Sequence, residues 1–196
     1  VKEGISLPKE KIEDRFCLEE GQGATIELYG DSTAGMMGVG FIYTNKESIS
    51  LGVGALLRPL IHEEWTPNDL IENLKAKPYV KRLLQGGETK EYLAHLIPEG
   101  GYANVPKLYR QGLLVVGDTA MLMNSFNREG SNFAMISGKI AGEVAAENIQ
   151  NGDISHNAMA VYENRLKDSF IMQDMHHYRH MAKFFEDNPH LLKMYP

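Results

Sequence analysis

The sequence predicts an α+β fold, in which an antiparallel sheet precedes a strand–loop–helix unit and C-terminal helices. Two apolar runs, residues 39–44 and 48–56, are joined by the polar turn Asn45-Lys46-Glu47, which is typical of a β-hairpin. A third apolar run, Leu113 to Val116, is bounded by Gly112 and Gly117 and predicts a short buried strand over 112–117. A long segment rich in small residues, 131–150, then predicts a helix. Strands with their own hairpin, followed by such a unit and further helices, are typical of α+β proteins.

Local signals give the bounds of the individual elements. Pro8 lies in the first turn of a predicted helix that ends near Cys17. Thr66 is the predicted N-cap of a second helix, with Pro67 at its first position. Ser131 is the predicted N-cap of the long helix. The other predicted elements are strands at 24–29 and 89–97, helices at 78–84 and 157–180, and a short helix closed by Asn188-Pro189.

Composition excludes several classes of protein. The chain has 196 residues, of which 43% are hydrophobic and 23% charged, as in a globular protein with a real core. A formal net charge of −6 argues against a nucleic-acid partner, which needs clustered lysine and arginine. No apolar stretch has the length of a membrane span, and no signal peptide opens the chain. The single cysteine, Cys17, excludes an internal disulfide and a cysteine-ligated iron–sulfur cluster, which needs about four thiolates.

The most informative stretch follows the run 112–117. Gly117 allows the backbone to turn sharply, and Asp118 places a carboxylate at the carboxyl end of a predicted strand, where open α/β sheets bind ligands. Such a carboxylate suits hydrogen bonds from sugar-type hydroxyls. About ten residues later, Gly130 opens the long helix, whose first N–H groups carry partial positive charge. Strand, Gly-Asp, loop, glycine and helix are typical of a nucleotide-cofactor site, whereas the helix alone favours ordinary packing.

The long helix also carries a stripe of small residues at spacings of three and four. Such a stripe predicts that the helix backbone packs closely against a sheet or another helix, which would offset the helix destabilisation of about 1 kcal/mol per glycine. The members of the stripe are Ala134, Gly138, Ala141, Gly142 and Ala145.

Three segments resemble a known family. Residues 115–120 and 128–139, which include Arg128-Glu129-Gly130-Ser131-Asn132, resemble the second FAD-binding motif of a large flavoprotein group. That group includes the aromatic hydroxylases, the geranylgeranyl reductases and the electron-transfer-flavoprotein:quinone oxidoreductases. Residues 35–45 resemble the Gly-Phe-Leu-Tyr hairpin of the quinone oxidoreductases, and residues 86–109 resemble a further stretch of that branch. The similarity is closest to the FixC-like members and runs from Lys2 to Pro196.

This resemblance implies FAD as the cofactor and assigns the residues that hold it. Asp118 would hold the ribityl chain, and the start of the long helix would face the N1–C2=O side of the flavin ring. Gly117, Gly130, Ser131 and Asn132 would frame the ring and the loop that faces the pyrophosphate. The resemblance implies no acid–base catalytic residue, because the cofactor does the chemistry.

The resemblance also implies a substrate site and partners. The quinone head group would lie against Gly38, Gly40 and Phe41, although a glycine-softened strand with a bulge explains the same residues. Electrons would pass from an electron-transfer flavoprotein through FAD to quinone or to a ferredoxin-like iron–sulfur protein. The lack of further cysteines favours the FixC-like branch, which leaves the cluster to such a partner. The expected location is cytoplasmic, with peripheral association at the inner face of the membrane as an open alternative.

The family's N-terminal Rossmann turn, Gly-x-Gly-x-x-Gly, does not occur in this sequence, which begins with Val1. We therefore expect the chain to be the C-terminal portion of a longer flavoprotein and, by itself, to hold FAD weakly or not at all. We divide it into a substrate-type or quinone-type α+β region (1–111), the second FAD-binding motif (112–150) and a C-terminal helical region (151–196).

Two other functions and one other site stay open. A geranylgeranyl-reductase-like flavoenzyme shares the Gly-Asp motif, and a cofactor-free docking module would need no flavin. His176, His177 and His180 form a cluster in which His176 and His180 have the spacing of a helical metal pair. Surface or core histidines are the alternative interpretation.

Overall fold

A computed structural model describes residues 1–188 and 191 of the chain. It confirms the α+β class, with an antiparallel sheet and several helices. The described residues form two compact units. The first comprises Val1–His95 with the described residues from Phe185 onward, and the second comprises Leu96–Phe184. The functional division of the chain into 1–111, 112–150 and 151–196 stays a prediction.

The first unit is built on a five-stranded antiparallel sheet with the strand order β2-β3-β4-β1-β5. The predicted hairpin is confirmed, because β3 and β4 pair from Gly38↔Ala55 to Thr44↔Ile49. Its turn is closed by a 2.8 Å hydrogen bond from the N–H of Asn45 to the carbonyl of Ser48. The strands are β1 (Lys2–Ser6), β2 (Thr25–Leu28), β3 (Gly38–Thr44), β4 (Ser48–Ala55) and β5 (Glu88–Leu93).

Strand β1 was not predicted from the sequence, although it lies between β4 and β5. Its segment, Lys-Glu-Gly-Ile-Ser, has one large apolar residue, so the alternating pattern of a half-buried strand is weak. Glu3 nevertheless points inward and is 5% exposed, with Lys75 Nζ 3.1 Å away and a 3.0 Å hydrogen bond from Thr89 Oγ1. Strand β5 ends at Leu93 rather than at the predicted Ile97, because its partner strand begins at Lys2, opposite Leu93.

Helices cover the apolar inner face of this sheet. Helix α3 begins as predicted, because the Thr66 hydroxyl accepts the N–H of Asp69 at 3.1 Å and the Asp69 carboxylate accepts the N–H of Thr66 at 3.1 Å. It buries Leu70, Ile71 and Leu74 against the sheet residues Ile42 and Leu51, among others. The helices of this unit are α1 (Lys9–Phe16), α2 (Leu57–His62), α3 (Pro67–Ala76) and α4 (Pro78–Leu84).

The second unit packs helices around a very short hairpin, β6 (Tyr109–Arg110) with β7 (Leu113–Leu114). The prediction of a strand over 112–117 is wrong beyond Leu114, because no further strand pairs with it among the described residues. The N–H of Val115 donates to the carbonyl of Leu108, the residue before β6, at 2.8 Å, and Val116 stays extended.

Four α-helices follow β7 in the described part of the chain. The predicted helical stretch 157–180 is divided into α6 and α7 at Asp168-Ser169, and the Ser169 hydroxyl donates 2.6 Å to the carbonyl of Leu166. The predicted helix end at Asn188-Pro189 agrees with α8 as far as Asp187, and Pro189 lies outside the described residues. No helix in the described part of the chain is long and apolar enough to cross a membrane. These helices are α5 (Ser131–Gln150), α6 (His156–Lys167), α7 (Phe170–His177) and α8 (Met181–Asp187).

Candidate cofactor site

The Gly-Asp motif forms a tight turn that packs against the first turns of α5. Gly117 begins a single turn of 3-10 helix and has a left-handed backbone with φ +58°. Its N–H donates a 3.1 Å hydrogen bond to the hydroxyl of Ser137, which in turn donates to the carbonyl of Ala134 at 3.1 Å. A Cβ at position 117 would lie 3.1 Å from the Cβ of Ala134. The turn therefore needs glycine for both its conformation and its approach to the helix.

This packing brings Asp118 to the N-terminus of α5. Its Oδ1 lies 3.9 Å from the position that a Cβ on Gly130 would occupy. The Asp118 side chain is exposed and makes no hydrogen bond or ion pair with another residue in the described part of the chain. A carboxylate in that state can accept hydrogen bonds from a ligand.

The N-terminus of α5 differs from the prediction in its cap. The N-cap is Gly130, which has no side chain to cap with, and Ser131 is the first helical residue. The N–H of Phe133 donates a 3.0 Å hydrogen bond to the side-chain oxygen of Asn132. The N–H groups of Ser131 and Asn132 have no acceptor among residues 1–188 and 191. They give this end of the helix its partial positive charge, close to Asp118.

The first unit contains a second turn of the same form, which the sequence analysis missed. Gly30 has φ +74°, follows an extended residue and begins a 3-10 turn that ends in a left-handed Ala34. The turn at Gly117 likewise follows an extended residue and ends in a left-handed Met121. The shared signal is Gly-Asp followed by serine or threonine. The two differ in the carboxylate, because Asp31 pairs with Lys77 at 2.6 Å.

Two further residues hold the segment that leads into the Gly117 turn and the loop that follows it. The hydroxyl of Tyr162 on α6 donates a 2.9 Å hydrogen bond to the carbonyl of Val115, and burial raises the pKa of Tyr162 to about 12. Asn124, which is 4% exposed, exchanges both main-chain hydrogen bonds with Glu129, at 2.9 and 3.1 Å. Sequence reasoning missed both residues, because their partners lie far away or in the main chain.

The small-residue stripe of α5 does not pack as predicted. A Cβ at Gly138 or Gly142 would meet nothing within 4 Å in the described part of the chain. Only Ala141 of the stripe is buried. The helix instead buries the face formed by Phe133, Ser137, Ala141, Val144 and Asn148.

The hairpin residues that were predicted to meet quinone divide between the two faces of the sheet. Gly40 faces inward, where a Cβ would lie 3.1 Å from Ser32 and 3.3 Å from Leu28, and Gly38 shares that face. Phe41 points to the opposite face, where its ring lies over Gly52 and stacks on Tyr43 at 4.7 Å. Strand β3 pairs without a register shift, so the alternative of a bulge is wrong. The quinone assignment stays a prediction.

The histidine cluster does not form the helical pair expected from its spacing. Helix α7 ends at His177, so His180 lies beyond the helix that carries His176. The exposed His176 ring packs edge-on against Tyr102 at 5.1 Å. No group of three His, Cys, Asp or Glu side chains suited to a metal ion occurs among the described residues.

Comparisons with known proteins identify the family of this chain, which has an α+β fold and the turn–loop–helix site described above. The chain is 44% identical to Protein FixC of Bradyrhizobium diazoefficiens over 98% of its own length and 46% of that protein. It is 38% identical to the probable electron transfer flavoprotein-quinone oxidoreductase YdiS of Escherichia coli, over 100% of its own length and 46% of that protein. No protein-family model matches the chain.

Among solved structures, a geranylgeranyl bacteriochlorophyll reductase-like protein from Thermoplasma acidophilum aligns with a TM-score of 0.57 at 19% identity. The alignment covers 82% of this chain and 44% of that one, and it supports a shared fold. The chain belongs to the FixC-like family, and it spans less than half the length of the relatives cited above.

Proposed function

We propose that the chain is part of a flavoprotein oxidoreductase of electron transfer and that it supplies one side of the FAD site. The observation that carries this proposal is the position of Asp118. Its carboxylate has no partner among the described residues and lies beside Gly130, at the positive end of α5, in a FixC-like sequence. The name of the relative YdiS, an electron transfer flavoprotein-quinone oxidoreductase, supports the same class of activity.

The residues present fit the proposed cofactor. Asp118 would accept hydrogen bonds from the hydroxyls of the ribityl chain. The N–H groups of Ser131 and Asn132 would donate to an electron-rich edge of the ring, where the helix dipole favours negative charge. Gly130 would leave space for close approach, since it places no side chain there, and Gly117 would frame the site through the tight turn that carries Asp118. When bound, FAD supplies the redox chemistry that these side chains lack.

The electron donor, the acceptors and the location are finer parts of the proposal. We propose an electron-transfer flavoprotein as the donor, and quinone or a ferredoxin-like iron–sulfur protein as the acceptor. Quinone would contact the hairpin at Gly38, Gly40 and Phe41. Because quinones dissolve in lipid, a protein that reduces them would work at the membrane surface, which favours peripheral association at its inner face.

Flavin binding to the natural protein tests the proposal, and the chain offers a matched control. Asp118→Ala removes a carboxylate that has no partner among the described residues. The substitution should raise the dissociation constant of FAD at least about tenfold, equivalent to about 1.4 kcal/mol. Asp31→Ala alters the same kind of turn in the first unit, where the carboxylate pairs with Lys77, and should leave FAD binding unchanged. Both constants are measured by flavin fluorescence titration.

Three results would contradict the proposal. A colourless natural protein that takes up no added FAD would favour the cofactor-free docking module instead. Equal effects of the two substitutions would show that loss of any Gly-Asp turn, rather than loss of a ligand contact, weakens binding. Reduction of an isoprenoid double bond by the flavin-loaded protein would favour the geranylgeranyl-reductase-like alternative.

A further inference from the structure

The loop between the Gly-Asp turn and α5 is organised by one buried side chain. Asn124 accepts two main-chain N–H groups on its Oδ1, from Phe126 at 3.0 Å and from Asn127 at 3.1 Å. With the two main-chain bonds to Glu129, these contacts close residues 124–129 into a compact loop. The loop is followed directly by Gly130, the N-cap of α5.

The same asparagine joins this loop to a distant helix. Its Nδ2 donates a hydrogen bond to the Oδ2 of Asp174 on α7, fifty residues along the chain. A second contact supports the first, because the rings of Phe126 and Tyr178 stack with their centroids 5.2 Å apart. Tyr178 follows the last residue of α7, and its N–H donates to the carbonyl of Asp174 at 3.0 Å. The C-terminal end of α7 therefore holds the loop at two points.

The loop has a strained backbone that needs such support. Arg128, two residues before the N-cap of α5, has a left-handed backbone with φ +55°. Met121, at the other end of the connection, has φ +56°. Non-glycine residues in this region cost about 1 kcal/mol or more each and persist where neighbouring contacts fix them. On either side of Arg128, Asn124 supplies such contacts to Phe126, Asn127 and Glu129, while its side-chain donor bonds to Asp174.

We propose that Asn124 and Asp174 are a positioning pair, through which α7 fixes the loop that sets the N-terminus of α5 against Asp118. The inference rests on the proposed flavin site and assigns it two residues that would not touch the cofactor. Because an α-helix end must lie within hydrogen-bond reach of its ligand, displacement of the loop moves the Ser131 and Asn132 amides away from it. The pair would therefore affect flavin affinity by setting the position of the Ser131 and Asn132 amides, without contacting the flavin.

Exchanging the two side-chain types tests the pair. Asn124→Asp keeps the acceptor for Phe126 and Asn127 but removes the donor and sets a second carboxylate against Asp174. We expect it to raise the FAD dissociation constant of the natural protein at least about tenfold. Asp174→Asn alone leaves an amide oxygen to accept and should change the constant about twofold or less. Adding Asp174→Asn to Asn124→Asp restores a donor–acceptor pair with reversed roles and should recover binding to within about threefold of the wild type.

The control is Asn127→Asp, which adds the same charge to the same loop at an exposed position and should leave binding unchanged. Hydrogen exchange of the Phe126, Asn127 and Glu129 amides gives a readout that needs no flavin. Exchange should accelerate in Asn124→Asp and slow again in the double variant. If Asn124→Asp fails to fold, the double variant alone decides, because recovery of folding and binding requires the reciprocal pair.

The outcomes separate this inference from the proposed function. A wild-type protein that binds no FAD overturns the proposed function, and with it the positioning role for flavin. A wild-type protein that binds FAD, with Asn124→Asp binding equally well, overturns the positioning pair alone. A double variant no better than Asn124→Asp shows that the two residues act separately and also overturns the pair.

Discussion

The main-chain N–H of Gly117 donates a 3.1 Å hydrogen bond to the buried hydroxyl of Ser137, twenty residues further along the chain. This bond joins the Gly-Asp turn to α5 and accounts for the closeness of Asp118 to Gly130. Because Ser137 also donates to the carbonyl of Ala134, its hydroxyl is satisfied in both roles. Ser137 is therefore one of the residues on which the shape of the candidate site depends.

Replacing Ser137 tests this dependence. Ser137→Ala leaves the buried N–H of Gly117 without an acceptor and should lower the free energy of unfolding by about 1–3 kcal/mol. Ser131→Ala, at an exposed position of the same helix, should change it by less than about 0.5 kcal/mol. Urea denaturation followed by far-UV circular dichroism measures both. Equal stability of the two variants would mean that water replaces the hydroxyl and that the turn does not need Ser137.

Two glycines near or in α5 should respond to alanine with opposite signs. Gly117→Ala forces a Cβ into a left-handed backbone and to 3.1 Å from Ala134, so it should destabilise the unit by at least about 1–2 kcal/mol. Gly142→Ala adds a Cβ in open space within the helix and should stabilise it by about 0.5–1 kcal/mol. Thermal unfolding of each variant gives the sign. Destabilisation by Gly142→Ala would indicate that another surface packs on the small-residue stripe.

Tyr162 should give the second unit a distinct dependence on alkaline pH. Burial raises the pKa of this phenol from 10.0 to about 12. A group whose pKa is higher in the folded state stabilises the fold while it is protonated. That contribution is fully present below about pH 10 and is lost as the pH rises toward about 12. Tyr162→Phe should therefore remove part of the alkaline loss of stability, at the cost of about 1 kcal/mol near neutral pH from the lost hydrogen bond to Val115.

The measurement is the urea midpoint as a function of pH for the wild type and the variant, with lysine titration common to both. Tyr79→Phe serves as the control, because that ring is 47% exposed on α4. An identical alkaline slope for the wild type and Tyr162→Phe would contradict the assignment to Tyr162.

Elements with strong local signals were predicted well from the sequence. The hairpin of β3 and β4 and the start of α3 at Thr66-Pro67 depend on residues within a few positions of each other. The strand predicted over 112–117 was too long, because glycine boundaries and an apolar run do not reveal whether a neighbouring strand is there to pair with it. The cap of α5 was misplaced by one residue, since serine at 131 is a good N-cap by type but already has helical geometry.

The sequence by itself determined the fold class, the Gly-Asp turn and the membership of the FixC-like family, because these depend on residue types in a fixed order along the chain. Only the tertiary structure decided that Asp118 lies beside Gly130, that Asn124 bonds to Asp174 and that β1 lies inside the sheet. Each of these relationships joins residues that are not neighbours in the chain, and side-chain packing and tertiary hydrogen bonds select the partner. Local propensity specifies an element, but the choice of its neighbour is made by the burial of apolar faces and the satisfaction of polar groups across the whole unit.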